Sequence, residues 1–169
     1  MPRGPGGRAY ENATPYDIFI GRWTGIANVF SQRGTFLHAF PAEILMRWES
    51  EDVMSYTQLI GDFEYITGEH DLSAISDEKL LKTAPKITRV ATTMTYKDKI
   101  LCGGNDDYSV EGIASAPEIF LFTVRSRRSK LVYLNIHSLL NSNARNVMGP
   151  TLLDGRVVGM NVHTYTRIG

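Results

Sequence analysis

Cysteine is almost missing from this 169-residue chain: Cys102 stands alone. That excludes an internal disulfide and any zinc cluster built on cysteines. Net charge is missing too, with 18 Lys+Arg balancing 18 Asp+Glu, which argues against a dedicated nucleic-acid binder. No apolar run approaches the ~18 residues of a membrane span. There is no nucleophile elbow, phosphate loop, dinucleotide fingerprint or His-Glu-x-x-His zinc site. Asp106-Asp107 follows a Gly-Gly-Asn turn, but its spacing fits no EF-hand. The opening Met-Pro-Arg-Gly-Pro-Gly-Gly-Arg has no apolar stretch, so no signal peptide is expected and the expected location is cytoplasmic. Without a secretory signal, the acceptor pattern Asn12-Ala13-Thr14 reads as a chance match.

What is present suits a single globular domain. Apolar residues make up 43% of the chain and aromatics 10%, enough for an ordinary core. Residues 1–14, with three Gly and two Pro, read as a flexible tail or a lid. The domain is expected over 15–169. Pro15–Ile20 reads as one helical turn. After Gly21 the apolar period is mostly two, the strand signal. Strands are predicted at Arg22–Phe30, Phe40–Glu49, Val53–Ile60, Ile87–Tyr96, Lys99–Cys102, Tyr108–Ile113, Glu118–Val124, Leu131–Ser138, Val147–Leu153 and Arg156–Arg167. Turn residues separate them at Arg33-Gly34, Glu51-Asp52, Lys97-Asp98, Gly103–Asp106 and Asp154-Gly155. One segment breaks the rhythm: Leu72, Ile75, Leu80 and Leu81 predict a short inserted helix over about 72–83, stopped by Pro85. An all-β chain of some ten antiparallel strands is a barrel or a sandwich.

Two residues favour the barrel. Gly21-Arg22-Trp23 sits on the first strand, and Arg167 ends the last. This pairing resembles the calycin superfamily of lipocalins, fatty-acid-binding proteins and nitrobindin-like proteins. The resemblance implies a single antiparallel up-and-down β-barrel whose closed end is plugged by Trp23, with Arg167 packed across the indole. A guanidinium on an indole face gains ~0.5–2 kcal/mol, and here it would join the first strand to the last, removing the sheet edges. Three features depart from the families. No long helix follows the last strand before Gly169, the lipocalin disulfide is impossible, and Gly25–Phe30 lacks the glycine-rich continuation of nitrobindins.

Alternation assigns the lining. With Trp23 inward, Gly25, Ala27 and Val29 follow. Ala42, Ile44, Met46 and Trp48 share a face opposite the charges of Glu43, Arg47 and Glu49, so they point in. Met54, Tyr56, Gln58 and Ile60, then Val90, Thr92, Met94 and Tyr96, continue the inner set. On the last strand Arg167, Tyr165, His163 and Asn161 share one face. Leu131–Ser138 offers two choices: Tyr133, Asn135 and His137 inward, or Val132, Leu134 and Ile136. The first choice places two His, two Tyr and two Asn around apolar walls, the composition of a ligand site.

From this follow the candidate residues. Ligand contacts are expected from Met46, Trp48, Met54, Tyr56, Gln58, Met94, Asn135 and Asn161, with Met160 a further adaptable apolar group. His163 reads as a general acid/base, as a haem ligand of the kind a late-strand His provides in nitrobindin-like barrels, or as an ordinary buried histidine. Tyr133, Tyr165 and His137 could polarise a carbonyl or simply satisfy the core. His38 and His70 are expected in exposed loops. The cluster Arg125, Arg127, Arg128 and Lys130 reads as a solvated turn, and Cys102 as a half-buried structural thiol.

The leading functional expectation is a barrel that binds a small hydrophobic molecule without a cofactor. The alternative is a cofactor-independent cyclase or isomerase acting on a polyketide- or terpenoid-like substrate by shape and proximity. In that reading His163, Tyr165, Tyr133 and His137 would be the catalytic set. Haem binding through His163 is a third reading. No nucleic-acid partner or membrane span is expected, and self-association as a homodimer stays open.

Overall fold

A computed structural model describes residues 13–61 and 87–168. Ten strands form one closed antiparallel barrel: β1 Gly21–Ser31, β2 Phe36–Trp48, β3 Val53–Gly61, β4 Ile87–Lys97, β5 Ile100–Gly104, β6 Tyr108–Ala116, β7 Ile119–Ser126, β8 Leu131–Asn141, β9 Ala144–Leu153 and β10 Arg156–Ile168. Each strand pairs with its neighbours in sequence, and β10 closes on β1. No helix among the described residues is long and apolar enough to cross a membrane. The helix expected near 72–83, His70 and most of the 1–14 segment lie outside the described residues.

The turns follow their backbone chemistry. Asp154 and Gly155 have φ of 51° and 77°, the paired positive values of a tight two-residue hairpin. Asp98 and Lys99 do the same at 53° and 68°, so that turn falls one residue later than Lys97-Asp98. Gly103 and Gly104 belong to β5 rather than to the next turn.

One end of the barrel is sealed. A single 3-10 turn, Asp17–Phe19, lies across it. Trp23 Nε1 donates to the Phe19 carbonyl at 3.0 Å, and the Tyr16 hydroxyl lies 2.9 Å from the Gly112 carbonyl and 3.1 Å from that of Lys99. Trp48 Nε1 donates to Asp17 Oδ1 at 2.7 Å, and the Thr14 amide donates to the other carboxylate oxygen. Arg167 stands opposite Trp23 in register, its guanidinium 4.2 Å from the ring centroid. It also donates to the carbonyls of Ile18, Ile20 and Ser142. The closure expected of Trp23 and Arg167 is thus present. The described start of the chain belongs to this sealed end.

Close approach of neighbouring strands depends on glycine. A Cβ on Gly25 would lie 1.7 Å from the Thr164 carbonyl oxygen, and one on Gly149 would lie 1.6 Å from that of Leu134. Only glycine fits where one backbone presses this hard on another.

Candidate functional site

The inner faces of β1 to β4 are those that alternation predicts. Trp23, Ala27, Ala42, Ile44, Met46, Met54, Tyr56, Gln58, Val90, Thr92 and Met94 are buried, while Arg22 pairs with Glu43 on the outside. Met160 is a correction: register sets it opposite Phe30 and Pro150 on the outer face. Cys102 is another. Leu101 points inward, so its neighbour Cys102 is exposed beside Glu111. His38 is exposed as expected, though it lies on β2.

On β8 the structure decides the open choice. Asn135 and His137 are buried, at 7% and 0% exposure, while Ile136 is 45% exposed. Tyr133 shares the inner face with them. The polar set therefore points into the barrel and the apolar set lies on the surface.

The interior has two levels. At the sealed end Phe19, Phe120, Met46, Met54, Met94 and Leu101 pack around Trp23. Trp48 belongs to this level too, half-buried and edge-on to Tyr96. Toward the other end the lining is mostly of shorter side chains, Ala27, Ala42, Val90, Thr92, Val110, Val124 and Thr151, with the larger Phe40 and Leu131 also buried there. Inward-facing Val29, Ile60, Tyr133 and Asn161 are only half-buried there, so solvent reaches them. Asn161 Nδ2 donates to Thr151 Oγ1 at 3.1 Å.

Between the levels lies a polar row. His137, Val147, His163 and Ala27 are consecutive partners across β8, β9, β10 and β1. Arg145 and Tyr165, themselves paired, sit one inward position nearer the sealed end. Arg145 is fully buried, and it is the residue that the sequence reading missed. The β9 strand begins at Ala144 rather than Val147, which makes Arg145, Val147, Gly149 and Thr151 one inward face. The Arg145 guanidinium carbon lies 5.0 Å from the Phe19 ring centroid, 5.5 Å from that of Trp23 and 5.6 Å from that of Phe120. Burial lowers its pKa to about 10, so it stays cationic near neutral pH.

Proton positions follow from these contacts. Arg145 Nη2 is 2.5 Å from His137 Nδ1. An arginine only donates, so His137 accepts through Nδ1 and carries its proton on Nε2. Burial, reinforced by the Arg145 charge, holds the His137 pKa well below the usual value and keeps the ring neutral. Tyr165 Oη accepts from Gln58 Nε2 at 3.3 Å and lies 3.1 Å from His163 Nδ1. With the Tyr165 hydroxyl donating its hydrogen bond to that nitrogen, all three groups are satisfied and the neutral His163 carries its proton on Nε2. Burial lowers the His163 pKa to about 4 and raises that of Tyr165 to about 12.

Three buried polar atoms among the described residues then lack a partner: His137 Nε2, Arg145 Nε and His163 Nε2. All three are N–H donors. Of the remaining candidates, Tyr56 rests against Phe122, with ring centroids 4.8 Å apart, and faces His137 edge-on.

No family model matches the chain, and no curated protein does. Solved structures do. A protein of unknown function from the DUF3598 family of Nostoc punctiforme superposes with a TM-score of 0.65 at 14% identity, over 90% of this chain. This chain spans about half of that protein, 48% of its length. The S-type phycobiliprotein lyase of Guillardia theta superposes with a TM-score of 0.58 at 8% identity, over 91% of this chain and 90% of its own. At such identities the likeness establishes the fold, and it agrees with a lipocalin-like barrel.

Proposed function

We propose that this chain binds a small, largely apolar molecule inside its barrel. The observation that carries the reading is the orientation of β8. That strand holds Ile136 at 45% exposure on the surface and buries Asn135 and His137 inside. A barrel filled purely for stability gains most from the opposite orientation, since burying an aliphatic side chain is worth ~1.5–3 kcal/mol and an unpaired polar group costs ~1–3 kcal/mol. Apolar walls with a few convergent polar groups are what a small-molecule site needs. A barrel of this fold occurs in a phycobiliprotein lyase, which supports the architecture and leaves the ligand to chemistry.

The titration of the polar row favours binding over acid–base catalysis. A His with a pKa near 4 and a Tyr near 12 are both neutral at physiological pH and poorly matched to proton transfer there. They serve better as hydrogen-bonding groups. In the other tautomer, with Nδ1–H donating to Tyr165 Oη, His163 Nε2 would offer the lone pair that a haem ligand needs, so haemin belongs among the probes.

Native mass spectrometry of protein purified from a metabolite-rich host tests the reading. We expect a co-purified small molecule, lost from a folded Asn135→Phe variant whose ring fills the interior. A spectrum that stays empty after addition of apolar probes and haemin overturns it. A bound molecule that changes chemically over time, and ceases to change in His163→Gln, replaces the binding reading with the cyclase or isomerase one.

A further inference from the structure

The row of unpartnered donors says more than that something binds. We infer that the ligand is an acid, and that its carboxylate seats on Arg145, His137 and His163. This rests on the interior-binding reading and specifies its ligand class.

The argument starts from charge. Arg145 is fully buried, and no ion pair joins it to a carboxylate among the described residues. Its two terminal nitrogens reach the Met46 sulfur, at 3.4 and 3.5 Å, and the His137 ring. Thioether sulfur is a weak acceptor, and neither partner carries negative charge. The aromatic faces of Phe19, Trp23 and Phe120 offset part of the desolvation, but they supply no hydrogen-bond acceptor in the guanidinium plane. A buried cation in this state favours a counter-ion.

The hydrogen-bond inventory sharpens the class. Arg145 Nε, His137 Nε2 and His163 Nε2 lack partners; the first two are donors, and the third is one when Nδ1 accepts from the Tyr165 hydroxyl, so the missing group accepts only. One positive charge asks for one negative charge. A carboxylate offers two oxygens with about four acceptor sites and a single charge. A neutral carbonyl would leave the cation uncompensated, and a phosphate dianion would exceed it. The row lies where the packed aromatic level meets the shorter lining of Ala27, Ala42, Val90 and Val124. The acid group would therefore point toward the sealed end, with the apolar remainder among the short side chains.

Matched probes decide it: cis-parinaric acid and its methyl ester, titrated by fluorescence against the wild-type chain, Arg145→Met and His163→Gln. We expect the wild type to bind the acid at least about tenfold more tightly than the ester, the scale of one charged hydrogen bond. Arg145→Met should erase that preference while leaving the ester's affinity within about twofold. Equal affinity of the wild type for acid and ester overturns the carboxylate site and leaves the interior-binding reading standing. No saturable binding of either probe counts against both. The acid-to-ester ratio of the wild type decides the question even if a variant fails to fold.

Discussion

Arg145 Nη2 approaches Nδ1 of His137 to 2.5 Å across the β8–β9 hairpin, with no carboxylate paired to it among the described residues. A buried cation held by a neutral ring and a thioether costs stability without a counter-ion. Replacing even a buried ion pair with apolar side chains of similar volume is often neutral or stabilising by about 1–4 kcal/mol, and a buried cation without a counter-ion has less attraction to lose. Ligand-free Arg145→Met should therefore unfold at an equal or higher urea concentration than the wild type. A loss of more than about 2 kcal/mol would mean that Arg145 acts as a structural keystone.

The two inner histidines predict how stability responds to acid. Both have folded pKa values below the ordinary 6.5, His163 at about 4 and His137 well below. As pH falls under 6.5, the unfolded chain takes up protons that the folded chain refuses, so stability drops. The His163 contribution is complete above pH 6.5, and its loss extends down to about pH 4. It is worth on the order of 3 kcal/mol. Urea titrations at pH 7, 6 and 5 should show the decline, and His163→Gln should make it shallower, with the His137 share remaining. A wild-type midpoint unchanged between pH 7 and 5 would contradict the buried, neutral assignment.

Gly25 and Gly34 make a matched pair. A methyl on Gly25 meets the Thr164 carbonyl oxygen at 1.7 Å, whereas one on Gly34 meets nothing within 4 Å and strains only a backbone at φ +81°. Gly34→Ala should cost about 1–2 kcal/mol. Gly25→Ala should cost more than about 4 kcal/mol or yield no folded protein. Thermal melts separate the two, and similar losses would mean that β1 and β10 can move apart at no great cost.

Trp48 tests the division of the interior. Its Nε1 is tied to Asp17, on the turn that seals the barrel. Trp48→Phe should lose about 1–2 kcal/mol of stability and leave the parinaric acid affinity unchanged. Weakened binding without lost stability would move Trp48 to the ligand.

The contrast between strands shows what the sequence could disclose. On β2 the charges of Glu43 and Arg47 mark the outer face, so Ala42, Ile44 and Met46 fall inward by alternation alone. On β8 neither face carries a formal charge, and His137 meets its partner Arg145 on a neighbouring strand. Arg145 follows the Asn141–Asn143 turn, and a charge beside a turn reads as solvent-facing. Its signal is the alternation with Val147, Gly149 and Thr151, legible once the strand is allowed to begin at Ala144. The Trp48–Asp17 bond spans 31 positions and has no local signature.

The pairing of β1 with β10 sets an order of events for refolding. Nine of the ten strand pairings join neighbours in sequence; eight of them close across turns of two to four residues, and β3–β4 closes across the longer 62–86 stretch. The tenth joins Trp23 to Arg167, across almost the whole chain. Until it forms, β1 and β10 present open edges to any other strand, and the turn held through Ile18 and Ile20 lacks its Arg167 clamp. Trp23 is thus an intrinsic optical reporter: its fluorescence should change in the slowest refolding phase, after the circular-dichroism signal of the strands has largely developed.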